Sequence, residues 1–572
     1  MGVNALRSRR TFGLCGVLLA ALVVPAGYAL VASPGAPTGA PETQIHWTAT
    51  TPDVSEIPPR GLGHNFELVA HLALLDDYNY AGRQPTGTPR GSNGDLTATG
   101  DCAYVGSIIG FQPPLIINIA NPRRPAVIRP IPDAVPGVGN GMEGIEASGD
   151  LLVVDQRNPI GGTGFTPPNG LPTRALSIYD VSDCRRPQLV TRYDYHGANT
   201  HTVSLWRDRE DPRRVLALQS FSDNPDLQVI DLSGCPRDCH PHLVAAWDLQ
   251  TQTGLTDNTH EATMSTDGRR IYMSQYNAGF FMLDSTALLE SVRGGTACDA
   301  APPPTPTASG HCLTLLNPDI EGRFDTDPPF SREWYHTSLK VPGRPYLVQL
   351  MEGPPPQYRP ATGQIISTCP GAYLRMLYVG EDEYTNQTSA TPRLMRGDLN
   401  PVMIGGYGTP EQRPENCTRE GFRKGPPVPF FSPHDAIVFP DLAIVTYYGA
   451  GLRAIDIANP HLPVEAGYFF NKPVKVRWCS YVACLPPVIG ADGLPESRPT
   501  AGDEQMFTFS FPFTKDGFVF YIDIHSGLYV LRYHGPHAEE IPENTLCLAD
   551  NQRDGYEPCA PYGQTNWGTP GQ

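Results

Sequence analysis

One strand pattern recurs along almost the whole chain. An apolar strand ends near Asp or Asn, a Pro-containing turn follows, and a further strand begins, in copies that start at Leu115, Leu176, Leu227 and Leu452. Alternating β-branched residues are typical of strands, and Pro and Asn favour the turn between them. Another apolar strand precedes each copy, as in 151–156. The repeat therefore predicts an all-β chain built from small sheets.

The spacing of the units favours a closed ring of sheets. The period is about 45 to 70 residues, and units begin near 94, 143, 201, 260, 336, 434 and 504. Three or four strands at this period are typical of propeller blades, which leave no long open edge. We predict a seven-bladed β-propeller over 65–540, in which the strand from Phe66 completes the last blade. Long loop insertions are expected near 301–330, 353–432 and 472–503.

The first 32 residues have the pattern of a signal peptide, because a basic stretch precedes an apolar run and small residues. Arg9 and Arg10 resemble a twin-arginine signal, although an ordinary secretory signal or a retained anchor stays open. Residues 33–64 are predicted to be a Pro- and Gly-rich spacer, and 541–572 a cysteine-containing tail. We expect an exported protein, whether periplasmic, cell-surface or secreted, that meets a membrane only through an uncleaved signal.

The cysteines favour an oxidising compartment. Without Cys15 in the signal region, an even number of cysteines remains, as disulfides require. Close spacing predicts disulfides at 235/239, 298/312, 479/484 and 547/559. Cys235 and Cys239 could instead bind a metal together with His240 and His242.

The net charge of −17 makes nucleic acid an unsuitable partner. The sequence contains no Gly-rich phosphate loop and no Gly-x-Ser-x-Gly nucleophile motif. We expect a small-molecule substrate or an extracellular ligand, and a monomer.

The most informative residues open the inner strands of five consecutive units. His434 and His260 each stand seven residues before an Asp, and Glu143 has the same spacing. Equivalent positions on successive blades lie at one height around the channel axis. The side chains predicted to converge there are Glu143, His201, His260, His336 and His434. Imidazole and carboxylate ligands suit copper or iron, and zinc stays open.

The first and last units have Gly94 and Glu504 at this position. A purely structural histidine would be expected in most blades, yet a structural network or a polar pocket without metal stays open. Asp435, Glu261 or Glu146 could accept the outer ring N–H of a ligand.

Six further polar residues follow the inner strands. They could line one mouth of the channel or simply end their strands: Gln156, Gln219, Gln275, Glu352, Tyr447 and Asp523.

The strand corners at Leu227–Asp231 and Leu452–Asp456 resemble the LVIVD-repeat propeller family, over about 65–535. More distantly, the chain resembles selenium-binding-protein and methanethiol-oxidase propellers. The latter resemblance implies copper, whereas four-histidine propellers of the carotenoid-oxygenase kind imply iron. The chain matches neither motif in full.

These residues lead us to expect an exported propeller with a His/Glu transition-metal site on its axis, acting as a metal-dependent oxidoreductase. Two alternatives stay open. One is a non-catalytic extracellular binding propeller. The other is a hydrolase or lyase that uses Glu143 with a metal-bound water.

Overall fold

The computed structural model describes residues 45–47, 56–74, 76–78, 85–89, 93–107, 113–134, 139–157, 174–195, 200–221, 225–255, 258–276, 278–295, 312–317, 334–353, 357–359, 364–366, 372–385, 394–409, 412, 432–475 and 504–548. All of them belong to one compact unit, Ala40–Gln572. The predicted signal peptide, 1–32, and residues 549–572 of the predicted tail lie outside the described residues. These residues include two short α-helices, α1 (Leu249–Thr253) and α2 (Thr286–Val292).

The first strands in chain order are β1 (Ile45–Trp47), β2 (Leu62–His64), β3 (Phe66–Ala73), β4 (Asp76–Tyr78), β5 (Pro85–Pro89), β6 (Asn93–Thr99), β7 (Cys102–Ser107), β8 (Leu115–Asn118), β9 (Ala126–Pro130), β10 (Gly139–Ser148), β11 (Leu151–Arg157), β12 (Ala175–Asp180) and β13 (Gln188–Asp194). They are followed by β14 (Thr200–Arg207), β15 (Val215–Phe221), β16 (Leu227–Asp231), β17 (His242–Trp247), β18 (Thr259–Met264), β19 (Arg270–Gln275), β20 (Gly279–Asp284) and β21 (Thr314–Leu315).

The next group comprises β22 (Trp334–Lys340), β23 (Tyr346–Glu352), β24 (Gln357–Arg359), β25 (Gln364–Ile366), β26 (Leu374–Tyr378), β27 (Glu383–Thr385), β28 (Leu394–Arg396) and β29 (Val402–Gly408). The last are β30 (Ala436–Val438), β31 (Leu442–Thr446), β32 (Leu452–Asp456), β33 (Val464–Phe470), β34 (Val474–Lys475), β35 (Glu504–Gln505), β36 (Phe513–Lys515), β37 (Phe518–Asp523), β38 (Gly527–Tyr533) and β39 (Leu546–Cys547).

The β-propeller is confirmed, but the prediction of seven blades is wrong. The described residues form five sheets of four or more strands: one of 12, one of four and three of five. The 12-stranded sheet unites β6–β9, β10–β13 and β14–β17, which the repeat count separates. It does so because β10 pairs in parallel with β14, at Glu143 and Thr202, and antiparallel with β7, at Asn140 and Ser107. Counted by hydrogen-bonded sheet, the propeller has five blades.

The sheets pack on one another through shared apolar clusters. Strands inside a sheet are buried on both faces, as at Leu151 and Leu152, whereas the outer strand β13 alternates between exposed and partly buried residues. One cluster brings Leu350, Ile444 and Leu531 together from three sheets. Burial of this kind contributes about 25 cal/mol per Å² of apolar surface. The core therefore lies between the sheets.

An early strand and a late strand of the chain pair in the last sheet. β3 pairs antiparallel with β38, from Phe66 opposite Tyr533 to Ala73 opposite Gly527, so the strand predicted to complete the last blade does so. β37 and β38 share another cluster with β6–β8, which includes Val105 and Val530. Within the predicted spacer 33–64, β1 adds to β29 and β2 adds to β33.

Two disulfides lie within the 12-stranded sheet and its turns. The predicted Cys235–Cys239 bond is confirmed, so these sulfurs do not bind metal as thiolates beside His240 and His242. Cys102 is bonded to Cys184, 82 residues later. Cys312 and Cys547 are also disulfide-bonded, while the predicted 479/484 pair lies outside the described residues. No helix in the described part of the chain has the length and apolarity of a membrane span.

Candidate metal centre

Irregularities in four inner strands position the predicted ligands. The pairing of β18 with β19 shifts register between Thr259 and Glu261, so His260 is the extra residue of a bulge. His336 is the extra residue in the same way, between Tyr335 and Thr337. Glu143 and His201 also lie within register shifts of their strands. Bulges re-aim side chains and are common beside functional sites. The repeated bulge thus turns these four side chains inward.

The structure brings all five predicted residues together. The Oε2 atom of Glu143 lies 2.8 Å from Nε2 of His201 and 3.7 Å from Nε2 of His260. The Oε1 atom of Glu143 lies 3.9 Å from Nε2 of His434. Ring centroids of successive histidines are separated by 4.3, 3.5 and 4.2 Å, from His201 through His260 and His336 to His434. We call these five residues the axial cluster.

His434 is held in one tautomer. Its Nδ1 atom lies 2.7 Å from the carbonyl oxygen of Phe509 and 2.8 Å from Oδ2 of Asp435. Both oxygens are acceptors, so Nδ1 carries the proton and donates it. The lone pair of the neutral ring is then on Nε2, which faces Glu143. Asp435, predicted as an outer acceptor, is in contact because 432–435 precede β30 and do not alternate as a strand does.

His336 is oriented in a similar way. Its Nδ1 atom lies 2.7 Å from Oγ1 of Thr337, and that hydroxyl donates to Asp435 at 3.3 Å. Thr337 therefore accepts the Nδ1 proton, and the lone pair of His336 is on Nε2. This Nε2 atom is buried and makes no hydrogen bond within the described residues; it lies 4.0 Å from Oε2 of Glu352. The lone pair of this nitrogen can therefore bind a metal ion.

Glu352, which was expected either to line a channel mouth or simply to end its strand, lies beside the histidines, 4.0 Å from Nε2 of His336. Tyr448 donates a hydrogen bond of 2.6 Å to its Oε1 atom. Burial raises the pKa of Glu352 to about 7, against the opposing effects of His434 and of the Tyr448 hydrogen bond. Burial also raises the pKa of Tyr448 well above its ordinary value, so the phenol stays protonated and donates.

The cluster favours neutral imidazoles. Burial lowers the pKa of His336 well below its ordinary value, and the nearby His434 and His201 lower it further. Burial lowers the pKa of His434 as well, although Glu143 and Glu352 oppose the shift. Neutral imidazole is the form that binds metals. The side chains of His336 and His434 are 1% exposed, whereas those of Glu352 and His201 are 16% and 11% exposed, so the cluster is covered most completely at His336 and His434.

Two tyrosines, which sequence analysis missed, flank the cluster. The hydroxyl of Tyr276 lies 2.9 Å from Nε2 of His201, and its ring contacts His260 edge-on at 5.1 Å. Tyr448 lies 4.8 Å from His434 between ring centroids, and its φ of 38° is unusual for a bulky residue. Tyr276 directly follows an inner strand in the sequence, and Glu352 ends one. A polar residue at the end of an inner strand is therefore the sequence signal that could have identified Tyr276.

The last sheet supplies an apolar wall in place of a ligand. Phe509 stacks on His434 at 4.2 Å between centroids. It belongs to a buried cluster of Met142, Tyr448, Phe507, Phe509 and Ile524. Gly94 in the first unit has no room for a side chain, because a Cβ atom would lie 2.6 Å from the carbonyl oxygen of Gly141. The side chain of Glu504 lies outside the described residues.

Of the other polar residues at strand ends, Gln219, Gln275 and Asp523 have hydrogen-bond partners in the sheets. Gln219 bonds the backbone of Thr202, and Gln275 bonds Thr259. Asp523 accepts hydrogen bonds from the backbone of Phe507 and His525. Gln156 and Tyr447 are fully buried in the sheets. Of the six, only Glu352 is in the described contacts of the axial cluster.

Within the described parts of the chain, three overlapping groups of side chains have ligand atoms within 4.8 Å of one another: Glu143 with His201 and His260; His260 with His336 and Glu352; and His336 with His434 and Asp435. A separate group comprises Asp441, His537 and Glu540. There, Arg344 donates to Asp441 at 2.8 Å and already neutralises its charge. The residues of the axial cluster fit an imidazole- and carboxylate-binding transition metal better.

No family model and no curated protein matches this chain. Among solved structures, the chain is similar to the β-propeller domain of Myceliophteria thermophila Cps50 (Swd1), with 8% identity and a TM-score of 0.40, over 82% of this chain and 99% of that one. We base the propeller assignment on the sheet topology alone.

Proposed function

We propose that the axial cluster is a transition-metal centre and that the protein is a metal-dependent oxidoreductase acting on a small substrate. The observation that carries the proposal is the convergence of four imidazoles and Glu143 on one buried site, with their ligand atoms in overlapping groups. Such a set of nitrogen and oxygen donors suits copper, iron or zinc.

The protonation of the cluster supports metal binding in preference to a structural network. In His434 and His336 the outer nitrogen is occupied by an acceptor, and the inner nitrogen presents a lone pair. A carboxylate or carbonyl behind a ligating imidazole is the usual arrangement in metal sites. A structural network would be expected to satisfy every inner nitrogen. Nε2 of His201 does have partners in Glu143 and Tyr276, but Nε2 of His336 has no hydrogen bond in the described residues.

The surroundings favour an apolar or weakly polar substrate. The wall of Met142, Phe507, Phe509 and Ile524 excludes water on one side, and Glu352 and Tyr448 offer a carboxyl and a phenol on the other. A bound copper or iron ion would supply one-electron or O₂ chemistry at this place. The protein residues would hold the substrate against the wall, and Glu352 would accept or donate a proton at its carboxyl oxygens.

We further propose that the protein is exported and belongs with the LVIVD-repeat propellers. Disulfide bonds at Cys102–Cys184 and Cys235–Cys239 are compatible with an oxidising compartment. The family proposal rests on the strand corners Leu227–Asp231 and Leu452–Asp456. A twin-arginine route would allow a metal to be loaded before export.

Elemental analysis tests the proposal. The full chain, purified without added metal, is expected to carry copper or iron in stoichiometric amount. The double variant His260→Ala with His434→Ala is expected to lose at least nine-tenths of it, because it removes a ligand at two points of the cluster. His525→Ala is the matched control, since His525 is also a buried histidine but contacts Phe507 instead of the cluster.

Three outcomes would count against the proposal. Equal metal loss in the His525→Ala control would point to general unfolding. Metal content unaffected by the double variant would place the ion elsewhere. Absence of metal, with no uptake on adding Cu²⁺, Fe²⁺ or Zn²⁺, would favour the non-catalytic binding propeller.

A further inference from the structure

The carboxylate of Glu143 faces histidines on two different sides. Its Oε2 atom is the one near His201 and His260, at 2.8 and 3.7 Å. Its Oε1 atom is the one near His434, at 3.9 Å. A carboxylate that ligates one ion through a single oxygen has no need of a histidine beside the other oxygen. This two-sided arrangement is what a bridging carboxylate requires.

The arc of histidines is also too long for one ion. Metal–nitrogen bonds of about 2.1 Å place two nitrogens on one ion no more than about 4.2 Å apart. Among the described residues, no group with ligand atoms within 4.8 Å contains both His201 and His434. The groups overlap only through His260 and His336. The ligand atoms are therefore spread over two adjoining centres.

The second half of the arc has a carboxylate of its own. Glu352 lies 4.0 Å from Nε2 of His336, and its negative charge also acts on His434. The side chains of Glu143 and Glu352 are both nearly buried, at 10% and 16% exposure. Two cations between them would balance two carboxylates, whereas one would leave the more distant carboxylate poorly compensated.

We propose that the axial cluster is a dinuclear metal centre bridged by Glu143. His201 and His260 hold one ion with Oε2 of Glu143. His434 and His336 hold the second ion with Oε1 of Glu143, and Glu352 lies beside that ion as a second negative charge. Ions joined by such a bridge lie about 3.5 to 4 Å apart in other two-metal sites. This inference rests on the proposed metal centre and specifies its nuclearity.

Copper titration of the full chain separates one ion from two. Protein freed of metal with a chelator is loaded with Cu²⁺, passed through a desalting column and assayed for bound copper and for paramagnetic copper by EPR. The His260→Ala, His434→Ala double variant gives the background to subtract. We expect about two ions per chain and an EPR signal smaller than the bound copper, because a carboxylate bridge couples the two spins.

Single variants identify the bridge. His201→Ala and His434→Ala should each retain about one ion with its full EPR signal, because each removes a ligand of only one side. Glu143→Gln keeps the shape of the side chain, and it should weaken binding at least tenfold and restore the full signal of any copper bound. Glu352→Gln is the control, because it alters one side and leaves the bridge intact, so coupling should persist.

Saturation at one copper above background would overturn the dinuclear centre and leave the proposed metal site standing. Two coppers with a full, uncoupled signal would equally overturn the bridge by Glu143. Binding no greater than in the double variant would overturn the metal site itself.

Discussion

At the scale of single residues, the site is defined by which nitrogen of each imidazole carries the proton. His434 and His336 both give Nδ1 to an oxygen acceptor, and Asp435 contacts both rings: its Oδ2 lies 2.8 Å from His434 and its Oδ1 lies 3.8 Å from His336. One carboxylate thereby orients two neighbouring ligands. Asp435 is a positioning residue, because it acts on the centre through these histidines.

Replacing Asp435 by Asn should therefore weaken metal binding without removing a ligand. Loss of an outer carboxylate typically lowers metal affinity about 10- to 100-fold, and we expect a change of this size in competition with a chelator. The thermal midpoint of the metal-free variant should stay within a few degrees of that of the parent.

Asp441→Asn is the control for Asp435→Asn, since Asp441 is paired with Arg344 and lies in the separate group with His537 and Glu540. It should leave the affinity unchanged. A larger effect of Asp441→Asn than of Asp435→Asn would place the metal in that separate group.

The sequence predicted the five residues of the axial cluster because each opens an inner strand at a similar place in its repeat. It did not predict the contact with Glu352, because Gln219 and Gln275 occupy comparable strand ends and bond Thr202 and Thr259 instead. Nor did it identify Tyr448, whose backbone leaves the strand conformation at the turn after β31. A contact that depends on a left-handed residue, as that of Tyr448 does, leaves no periodic trace in the sequence.

At the scale of strands and helices, a buried ion pair joins the end of β14 to the end of α2. Asp208, whose side chain is fully buried, accepts hydrogen bonds from Arg293 at 2.7 and 2.9 Å and from Arg214 at 2.5 Å. Burial alone would raise the pKa of Asp208, but the bonds from Arg293, the backbone of Glu210 and Arg214 outweigh it and lower the pKa. The pair holds α2 against the neighbouring sheet.

Asp208→Asn should destabilise the protein by about 3 kcal/mol, because it leaves two arginines without their buried counter-ion. A group with a lowered pKa stabilises the fold above its ordinary pKa, about 4 for Asp, and this contribution is lost as pH falls through the lowered value. The difference between parent and variant should thus be full at pH 7 and shrink below pH 4. Urea unfolding at several pH values measures it.

Asp211→Asn is the control for Asp208→Asn, since Asp211 pairs chiefly with Arg213, at 2.9 Å at the surface of the same loop, and lies farther from Arg214, at 3.9 Å. An exposed pair of this kind contributes about 1 kcal/mol or less. A loss in Asp208→Asn that is equal at pH 3 and pH 7 would show that packing, and not charge, is responsible.

At the scale of the whole molecule, the sequence contains more repeat units than the described residues form sheets, because strands of neighbouring units pair near the channel axis. Seven units can be read from the sequence, because each contributes similar strands. The structure has five sheets because inner strands approach closely enough to pair, and one such pair is Glu143 with Thr202, next to the ligands. The repeat pattern predicts strands within a unit, but it carries no information on hydrogen bonds between neighbouring units.

The Cys102–Cys184 disulfide links two strand groups of the 12-stranded sheet. Cys102 begins β7, and Cys184 lies in the turn between β12 and β13. In the chain-entropy description, closing a loop of 82 residues stabilises the fold by about 4 kcal/mol, whereas the 4-residue loop of Cys235–Cys239 gives about 2 kcal/mol. Replacing Cys102 and Cys184 by Ser should therefore lower the guanidinium midpoint more than replacing Cys235 and Cys239.

Both double variants should be compared with the parent under oxidising conditions and again after reduction. Reduction should bring all three proteins to similar midpoints, because it removes the same cross-links from the parent. If the short-loop variant lost as much stability as the long-loop variant, restriction of the unfolded chain would not be the cause, and local packing around each cysteine would account for the loss. If neither lost stability, the sheets alone would hold the first part of the ring together.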